Sequence, residues 1–594
     1  DSSTSRGLGD VYKRQGHAPV VGAYILQIIV LACSIKILFN GLKIEQDFRI
    51  LKEGADQPKV GVKVDAVRAG GATTVDDLVT DQASGRSFAA NPSLSLLEGI
   101  ESAGLKQDFG CRMGMCGADA IAIVDGMENL SPPSDDEIAT LRRLGLEGRA
   151  RMACVCKATG GGVKIDLNLD PNDLPEPSPP ADQIDMAEQS GVKNIVIIGN
   201  GTSGMAAADE IRRLSPTCKI DVITRENHPF YNRMAIGRLL YGRTGLEDLY
   251  LLAPDWYEKN KVDVWLNTQA TNVDRAEKVV TLGTGETIAY DKLIMAQGAS
   301  ASVPPADGVD MPGCFVLREA LDAQKIRAWR QEKGCTHAVV QGGGVLGIEA
   351  ADALRRLDLN TTIIQRSDRL MNRELDERGS QLLEHYLESL GINVVTGTSV
   401  VSIKGVDRIE GVELTNGDIV PAEMFVTCAG VKANTELPKK IGLDVNRGIV
   451  VDLQMRSSDA DIFAVGDVAE LPGMVGGLWS VGTAQAAVAA QSVFGKEAAY
   501  SSPNTIVSLK MDGIDVKGYG VLDAGEDGLD FSDTFNEGKI HRRLVVKGGK
   551  LKGAVFVGPP GIGKDLAHVI QTDADLSTVI DRLKNGDWKA LGEV

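Results

Sequence analysis

The stretch from residue 109 to 121 reads FGCRMGMCGADAI, and it holds the side chains of this sequence best suited to bind metal. Cys111 and Cys116 are separated by four residues, the interval that opens a plant-type [2Fe–2S] loop, C-x4-C-x2-C, with a fourth thiolate far downstream. Two irons in tetrahedral sulfur fields need four soft anionic donors. Where the third cysteine of that pattern belongs, this sequence has Asp119. Cys154 and Cys156 follow in the same part of the chain, whereas Cys33, Cys218, Cys314, Cys335 and Cys428 stand apart and read as buried thiols. Nine cysteines spread so unevenly over 594 residues do not make a disulfide framework and suit a reducing compartment.

A second chemistry is written in glycines. In NIVIIGNGTSGMAAADEI a β-branched run leads into Gly199, Gly201 and Gly204 and then an alanine-rich helical pattern. The three glycines permit a tight turn, close approach of backbone to a pyrophosphate, and close helix–strand contact, with the helix N-terminus facing the phosphates. The next strand, KIDVITRE, ends in Glu226, which can accept a hydrogen bond from a ribose hydroxyl. HAVVQGGGVLGIEAADAL repeats the pattern with Gly342, Gly344 and Gly347, and sets Glu349 one turn into its helix. Two such units imply two dinucleotides. At the end of the following strand, TTIIQRSDRLM, Gln365 stands where a carboxylate would favour NAD, and Arg366 follows. An arginine there can bind a 2′-phosphate or be a solvated surface charge, so NADH and NADPH both stay open.

These sites need several domains to position them, and a chain of this length divides into about three to five. Residues 1–15, DSSTSRGLGDVYKRQ, read as a translated sequencing-adapter scar, and the natural start is expected to be missing. Residues 16–42 carry an apolar run long enough to cross a bilayer. Lys36, Lys43 and Arg49 then predict cytoplasmic domains anchored to the inner membrane by this helix. A connector, 43–71, precedes a module of short strands around one helix, 72–169, and a proline-rich linker, 170–190. Beyond it, aliphatic strands alternate with helical patterns, which argues for parallel sheets. A net charge of −18 disfavours nucleic acid as a partner.

The segments GNGTSGMAAADEI, HPFYNRMAIGRLL, YDKLIMAQG, GGGVLGIEAADAL, MFVTCAG and DIFAVGDVA, in that order, resemble the FAD-dependent pyridine nucleotide-disulfide oxidoreductase superfamily. YNR and RLMNRELDERGSQLLEHYLESLGI are most similar to its rubredoxin and ferredoxin reductases and to the flavin part of nitrite reductase large subunits. The resemblance implies a multidomain α/β fold with two Rossmann-like domains. FAD would occupy one, 191–325 with 425–497, and NAD(P) the other, 326–424, ahead of a small α/β domain, 498–594, often used in interdomain or dimer contacts. It places FAD on Gly199, Gly201, Gly204 and Glu226, with Arg233 near the pyrophosphate, Gly298 at a turn written Ala-Gln-Gly here, and Asp467 on the ribitol chain. The nicotinamide nucleotide falls on Gly342, Gly344, Gly347 and Glu349, with Gln365 and Arg366 at its ribose. Between Gly204 and Gly298 the sequence has Cys218 alone, so the redox-active cysteine pair of disulfide reductases is missing. No cysteine follows Cys428, so the stretch present lacks the sirohaem and [4Fe–4S] half of a nitrite reductase. GPPGIGKD imitates a phosphate-binding loop, but Asp565 replaces the hydroxyl residue that would hold magnesium.

The module 72–169, from SLLEGIESAG to GRARMACVCKATGGGVKIDL, resembles the β-grasp [2Fe–2S] ferredoxins. The resemblance makes Cys154, in RMAC, the distant thiolate. For the missing position, Asp119 could ligate through oxygen, or Cys156 could swing in, being on the same face as Cys154 if the strand stays extended. Cys156 is the preferred substitute; a zinc site and a metal-free domain are the other readings. Together these features imply an FAD-dependent oxidoreductase passing electrons from NAD(P)H through FAD to a [2Fe–2S] cluster and on to an electron-carrier protein or membrane redox partner. No side chain need act as acid or base, because hydride transfer belongs to the cofactors. A soluble rubredoxin or ferredoxin reductase, and a redox sensor or assembly subunit, are the alternatives, and a homodimer is left open.

Overall fold

Short runs such as IVII in Asn194–Ile198, apolar on both faces, can be buried only in the middle of a sheet covered by helices on each side. A computed structural model describes residues 78–594 except 93, 108, 111, 113, 169–184, 473–475, 524, 526–527, 536–537 and 564, and residues 73–594 form one compact unit. In it Asn194–Ile198 lies at the centre of a parallel sheet, ordered Ile462–Ala464, Lys292–Met295, Asn194–Ile198, Lys219–Ile223, Val262–Trp265. The helices Thr202–Leu214 and Trp479–Ser492 pack on each other and share one core with it.

The edge strand Ile462–Ala464 reaches this sheet only after the chain has built a second one. That sheet is also parallel, in the order Cys314–Val316, Met424–Thr427, His337–Gln341, Asn360–Ile364, Asn393–Val395. The edge strand Cys314–Val316 and most of its neighbour Met424–Thr427 fall outside the span 326–424 drawn from the sequence, because a strand of three or four residues carries too little periodicity to be assigned to one sheet or the other.

The N-terminal module is a mixed sheet, ordered Ser87–Ala89, Leu78–Asp81, Val163–Asp166, Ala120–Asp125, Ala150–Met152, with Leu78–Asp81 and Val163–Asp166 parallel. Its helix Leu96–Ser102 starts at a capping box, Ser95 and Glu98 each bonding the other's backbone, and buries Leu96, Leu97 and Ile100 against the sheet. The C-terminal domain is an antiparallel sheet of five strands buried on both faces. Along Lys550–Gly558, Val555 and Val557 join the core of the second parallel sheet while Ala554 and Phe556 meet Leu566, Val569 and Trp588, the two-residue alternation of a strand.

Within the segment read as linker, Met186–Ser190 is a helical turn capped by Asp185; linker residues 170–184 lie outside the described residues, as do the scar, the apolar stretch 16–42 and the connector. Among the described residues no helix is long and apolar enough to cross a membrane.

Candidate functional site

Both fingerprint turns have a geometry that only glycine permits. Gly199 sits at φ +121°, where a Cβ would lie 2.2 Å from the Ala296 carbonyl oxygen, and a Cβ on Gly204 would lie 1.9 Å from the Gly199 carbonyl oxygen. The second unit repeats this, with Gly342 at φ +120° and a Cβ on Gly347 1.9 Å from the Gly342 carbonyl oxygen. The helices that follow, Thr202–Leu214 and Val345–Arg355, begin at Gly201 and Gly344 with no side-chain cap and no acid in the first turn. Their N–H groups and positive dipole ends are thus left for phosphate.

Beside the first turn opens a cavity of about 560 Å³, within the range of cofactor sites. Gly199, Gly201, Glu226, Arg233, Gly298 and Asp467 all line it, and Gly204 stands behind, where it lets helix and strand approach. Three atoms of its wall, Gln297 Oε1, Trp479 Nε1 and Ser480 Oγ, are buried without a hydrogen-bond partner. Each such group costs about 1–3 kcal/mol, which marks the wall as built for a polar ligand. The residues fit FAD, which when bound would supply the exchange between two-electron hydride and single electrons.

Arg233, expected near the pyrophosphate, is tied to Glu226. Its guanidinium donates to the Glu226 carboxylate and to Tyr231 Oη (2.9 Å), and Tyr231 Oη donates to Glu226 Oε2 at 2.8 Å. Burial alone would raise the Glu226 carboxyl, but Arg233 and Tyr231 hold it below its ordinary value, so it stays a hydrogen-bond acceptor on the cavity wall. Asp467 takes a 2.6 Å ion pair from Arg318, which also donates to the Ala299 carbonyl. Gly298, at φ +62°, is held by Asn434, whose N–H donates to the Gly298 carbonyl and whose Nδ2 donates to that of Gln297. Arg318, Asn434, Gln297, Trp479 and Ser480 were not legible as site residues, since each gains its role from a partner or a cavity formed far along the chain.

On the nicotinamide side, Gln365 Oε1 accepts from the Gly343 N–H at 2.9 Å and Nε2 donates to the Arg369 carbonyl, so Gln365 braces the glycine turn. Arg366 is exposed at the strand end. Glu349 and Val345 line the same cavity as the FAD residues, which brings the second dinucleotide unit face to face with the first.

In the iron–sulfur module, Cys111 lies outside the described residues. Cys116 and Asp119 are fully buried and Cys154 is partly buried. Asp119 Oδ2 accepts from the Cys154 N–H at 2.6 Å, and the Gly114 N–H donates to Cys154 Sγ at 3.2 Å. A Cβ on Gly110 would lie 2.5 Å from Cys116 Sγ, so only glycine leaves room there. Burial, with the charges of Asp119 and Cys116, pushes the Cys154 thiol well above its ordinary value, and burial raises the Asp119 carboxyl. Such a crowd of incipient anions needs positive charge, and the donors fit an iron–sulfur centre. Among the described residues alone no set of three His, Cys, Asp or Glu makes up a single-ion site; a two-iron centre spreads its donors over two metals.

The extended strand that would put Cys156 on the face of Cys154 is not formed. The chain does not stay extended past Met152: the N–H groups of Val155 and Cys156 both bond to the Met152 carbonyl, at 3.1 and 3.0 Å. This turn carries Cys156 into the apolar core with Leu96 and Leu97, beside Arg151, Glu137 and Ser131, where burial pushes its thiol up to about 12.

The cluster loop is seated on the flavin unit. Asn232 Nδ2 donates to the Cys116 carbonyl at 3.4 Å, and Arg238 donates to that of Phe109. Met115 and Cys116 belong to the same core as Leu251 and Leu252. Asn232 directly precedes Arg233 and Met234 of the cavity wall, so one short segment touches both the cluster loop and the flavin cavity.

With this geometry in view, likeness to known proteins is specific. Residues 193–492 match the model of the pyridine nucleotide-disulphide oxidoreductase family, and residues 79–159 match that of the 2Fe-2S iron-sulfur cluster binding domain. Nitrite reductase, NAD(P)H, of Bacillus subtilis is 32% identical over 389 residues, 65% of this chain and 48% of that protein. NADH-rubredoxin oxidoreductase of Clostridium acetobutylicum is 30% identical over 65% of this chain and 96% of its own. The crystal structure of NADH:rubredoxin oxidoreductase from Clostridium acetobutylicum superposes with a TM-score of 0.55 at 29% identity, covering 66% of this chain and 99% of that one. The chain spans about half the length of the nitrite reductases it matches. It belongs to the pyridine nucleotide-disulphide oxidoreductase family and carries a 2Fe-2S iron-sulfur cluster binding domain ahead of that part of the chain.

Proposed function

We propose that this chain takes electrons from NAD(P)H, by way of FAD and its own [2Fe–2S] centre, and delivers them singly to a small electron-carrier protein. The observation that carries this reading is the seating of the cluster loop on the flavin unit, where Asn232 bonds the Cys116 carbonyl and the next residue, Arg233, lines the flavin cavity. Burying Met115 and Cys116 in the flavin unit's core fixes the two redox sites beside each other and removes a diffusional encounter. Gly199 and Gly342 admit the two pyrophosphates, Glu226 takes a ribose, and Val345 and Leu346 supply apolar wall between the two units. Cys218, buried with its thiol against the Lys193 carbonyl, offers the flavin no disulfide exit, and the relative from Clostridium acetobutylicum is named for rubredoxin.

The test is NAD(P)H-driven reduction of a rubredoxin or ferredoxin by the full chain and by Cys154→Ser. The full chain reduces the carrier, while the variant keeps FAD and NAD(P)H oxidation with ferricyanide but passes few electrons to the carrier. Equal carrier reduction by both would overturn the reading. We also assign the apolar stretch 16–42 as an anchor that holds these domains on the cytoplasmic side of a membrane. Flotation of the chain with lipid vesicles, lost when residues 16–42 are deleted, supports that assignment; flotation unchanged by the deletion overturns it.

A further inference from the structure

We propose that Asp119 is a ligand of the cluster, joining Cys116 and Cys154 through a carboxylate oxygen, and that Cys156 is not a ligand. The proposal rests on the reading of residues 79–159 as a [2Fe–2S] domain and says which donor set this chain gives it.

The two oxygens of Asp119 are treated differently by the fold. Oδ2 is pinned by the Cys154 N–H at 2.6 Å, while Oδ1 is buried with no hydrogen-bond partner, in a side chain that is 0% exposed. A carboxylate anchored by one oxygen and open at the other is oriented for monodentate donation to a cation. The arginine whose charge reaches Asp119 does not meet this need. Arg112 acts on Asp119 only through its charge, since its guanidinium is bonded to Glu101 at 2.6 Å and stacked 4.1 Å over the Phe109 ring. Beside this carboxyl stand donors expected of a cluster: Cys154, whose side chain hydrogen-bonds Asp119 and whose sulfur accepts the Gly114 N–H, and Cys116, near enough to act on Cys154 by its charge.

Cys156 has the opposite character. To reach the site it would have to undo the turn at Met152, leave an apolar core in which it is 0% exposed, and give up its contact with Ser131 beside the Arg151–Glu137 pair. Among the described residues, two soft thiolates and one hard oxygen then face the metals. Sulfur-to-iron charge transfer gives such clusters their visible colour, so one oxygen in place of one sulfur weakens and shifts those bands.

The experiment compares the full chain with Cys156→Ser, Asp119→Ala and Asp119→Cys. It reads iron and labile sulfide per chain, visible absorption, and the electron paramagnetic resonance of the dithionite-reduced protein, with bound FAD as the check on folding. The full chain and Cys156→Ser are expected to hold about two irons per chain with the same spectrum. Asp119→Ala loses at least half of that iron, and Asp119→Cys keeps the iron but shows stronger visible bands and changed g values. Full iron with an unchanged spectrum in Asp119→Ala, or loss of iron in Cys156→Ser, overturns the ligand assignment alone. A full chain that binds FAD but neither iron nor sulfide overturns the assignment and the [2Fe–2S] reading together.

Discussion

Asp209 lies on the first fingerprint helix, Thr202–Leu214, and is buried beneath the iron–sulfur module with Arg143 as its main opposing charge. Burial lifts its carboxyl from 3.8 to about 6, Arg143 and Arg142 work against the rise, and Glu210 and Glu147 add to it. Burial also lowers Arg143, so desolvation outweighs attraction for both partners, as is common for buried pairs. At about 1.4 kcal/mol per pH unit, a carboxyl at about 6 rather than 3.8 corresponds to about 3 kcal/mol. The folded value is the higher one. The stabilisation is therefore complete below about pH 4 and is lost as pH rises through about pH 6, so the seating of the module weakens across that window. Asp209→Asn is neutral at every pH and removes this slope; near neutral pH it should hold the module more firmly, by up to about 3 kcal/mol. Hydrogen exchange of the strand Ala150–Met152, compared between the two proteins from about pH 4 to about pH 7, isolates the single group. Parallel pH curves, or a less protected module in Asp209→Asn near neutrality, would refute the reasoning.

Other substitutions probe separate parts of the molecule. Gly347→Ala puts a Cβ 1.9 Å from the Gly342 carbonyl oxygen; it should abolish flavin reduction by NAD(P)H while bound FAD, measured by absorbance, stays at the wild-type level. Glu137→Ala leaves Arg151 buried without the carboxylate it meets at 2.8 and 3.0 Å. The iron–sulfur module should lose about 3–5 kcal/mol in urea unfolding, and a loss under about 1 kcal/mol would show that the pair is idle. Arg366→Ala should raise the KM for NADPH about tenfold and leave that for NADH unchanged, because only NADPH carries a 2′-phosphate for the guanidinium.

The sequence displayed the parts of the fold whose cause is local. Gly199 and Gly342 announce their turns because no other residue fits them, and NIVII and HAVVQ announce central strands because nothing else buries them. Residues whose role depends on a distant partner stayed hidden: Arg318 pairs with Asp467 across 149 positions, and the unpartnered Trp479 and Ser480 gain meaning only from the cavity wall. Cys156 shows why spacing misleads near a turn. Two residues in an extended strand share a face, but hydrogen bonds from Val155 and Cys156 to Met152 replace the strand with a turn, and the preferred ligand points into the core. The seating of the iron–sulfur module on the flavin unit, through Asn232 and Arg238, has no sequence signature, because an interface between domains follows no period.

The claim that the iron–sulfur centre takes its electrons within the chain is tested most directly by mixing the anaerobic protein with NADH or NADPH and freezing samples at intervals for electron paramagnetic resonance. Intramolecular transfer predicts a [2Fe–2S] signal that grows at a rate independent of protein concentration. A signal that appears with dithionite but with neither nicotinamide, or a rate that rises in proportion to protein concentration, would contradict it.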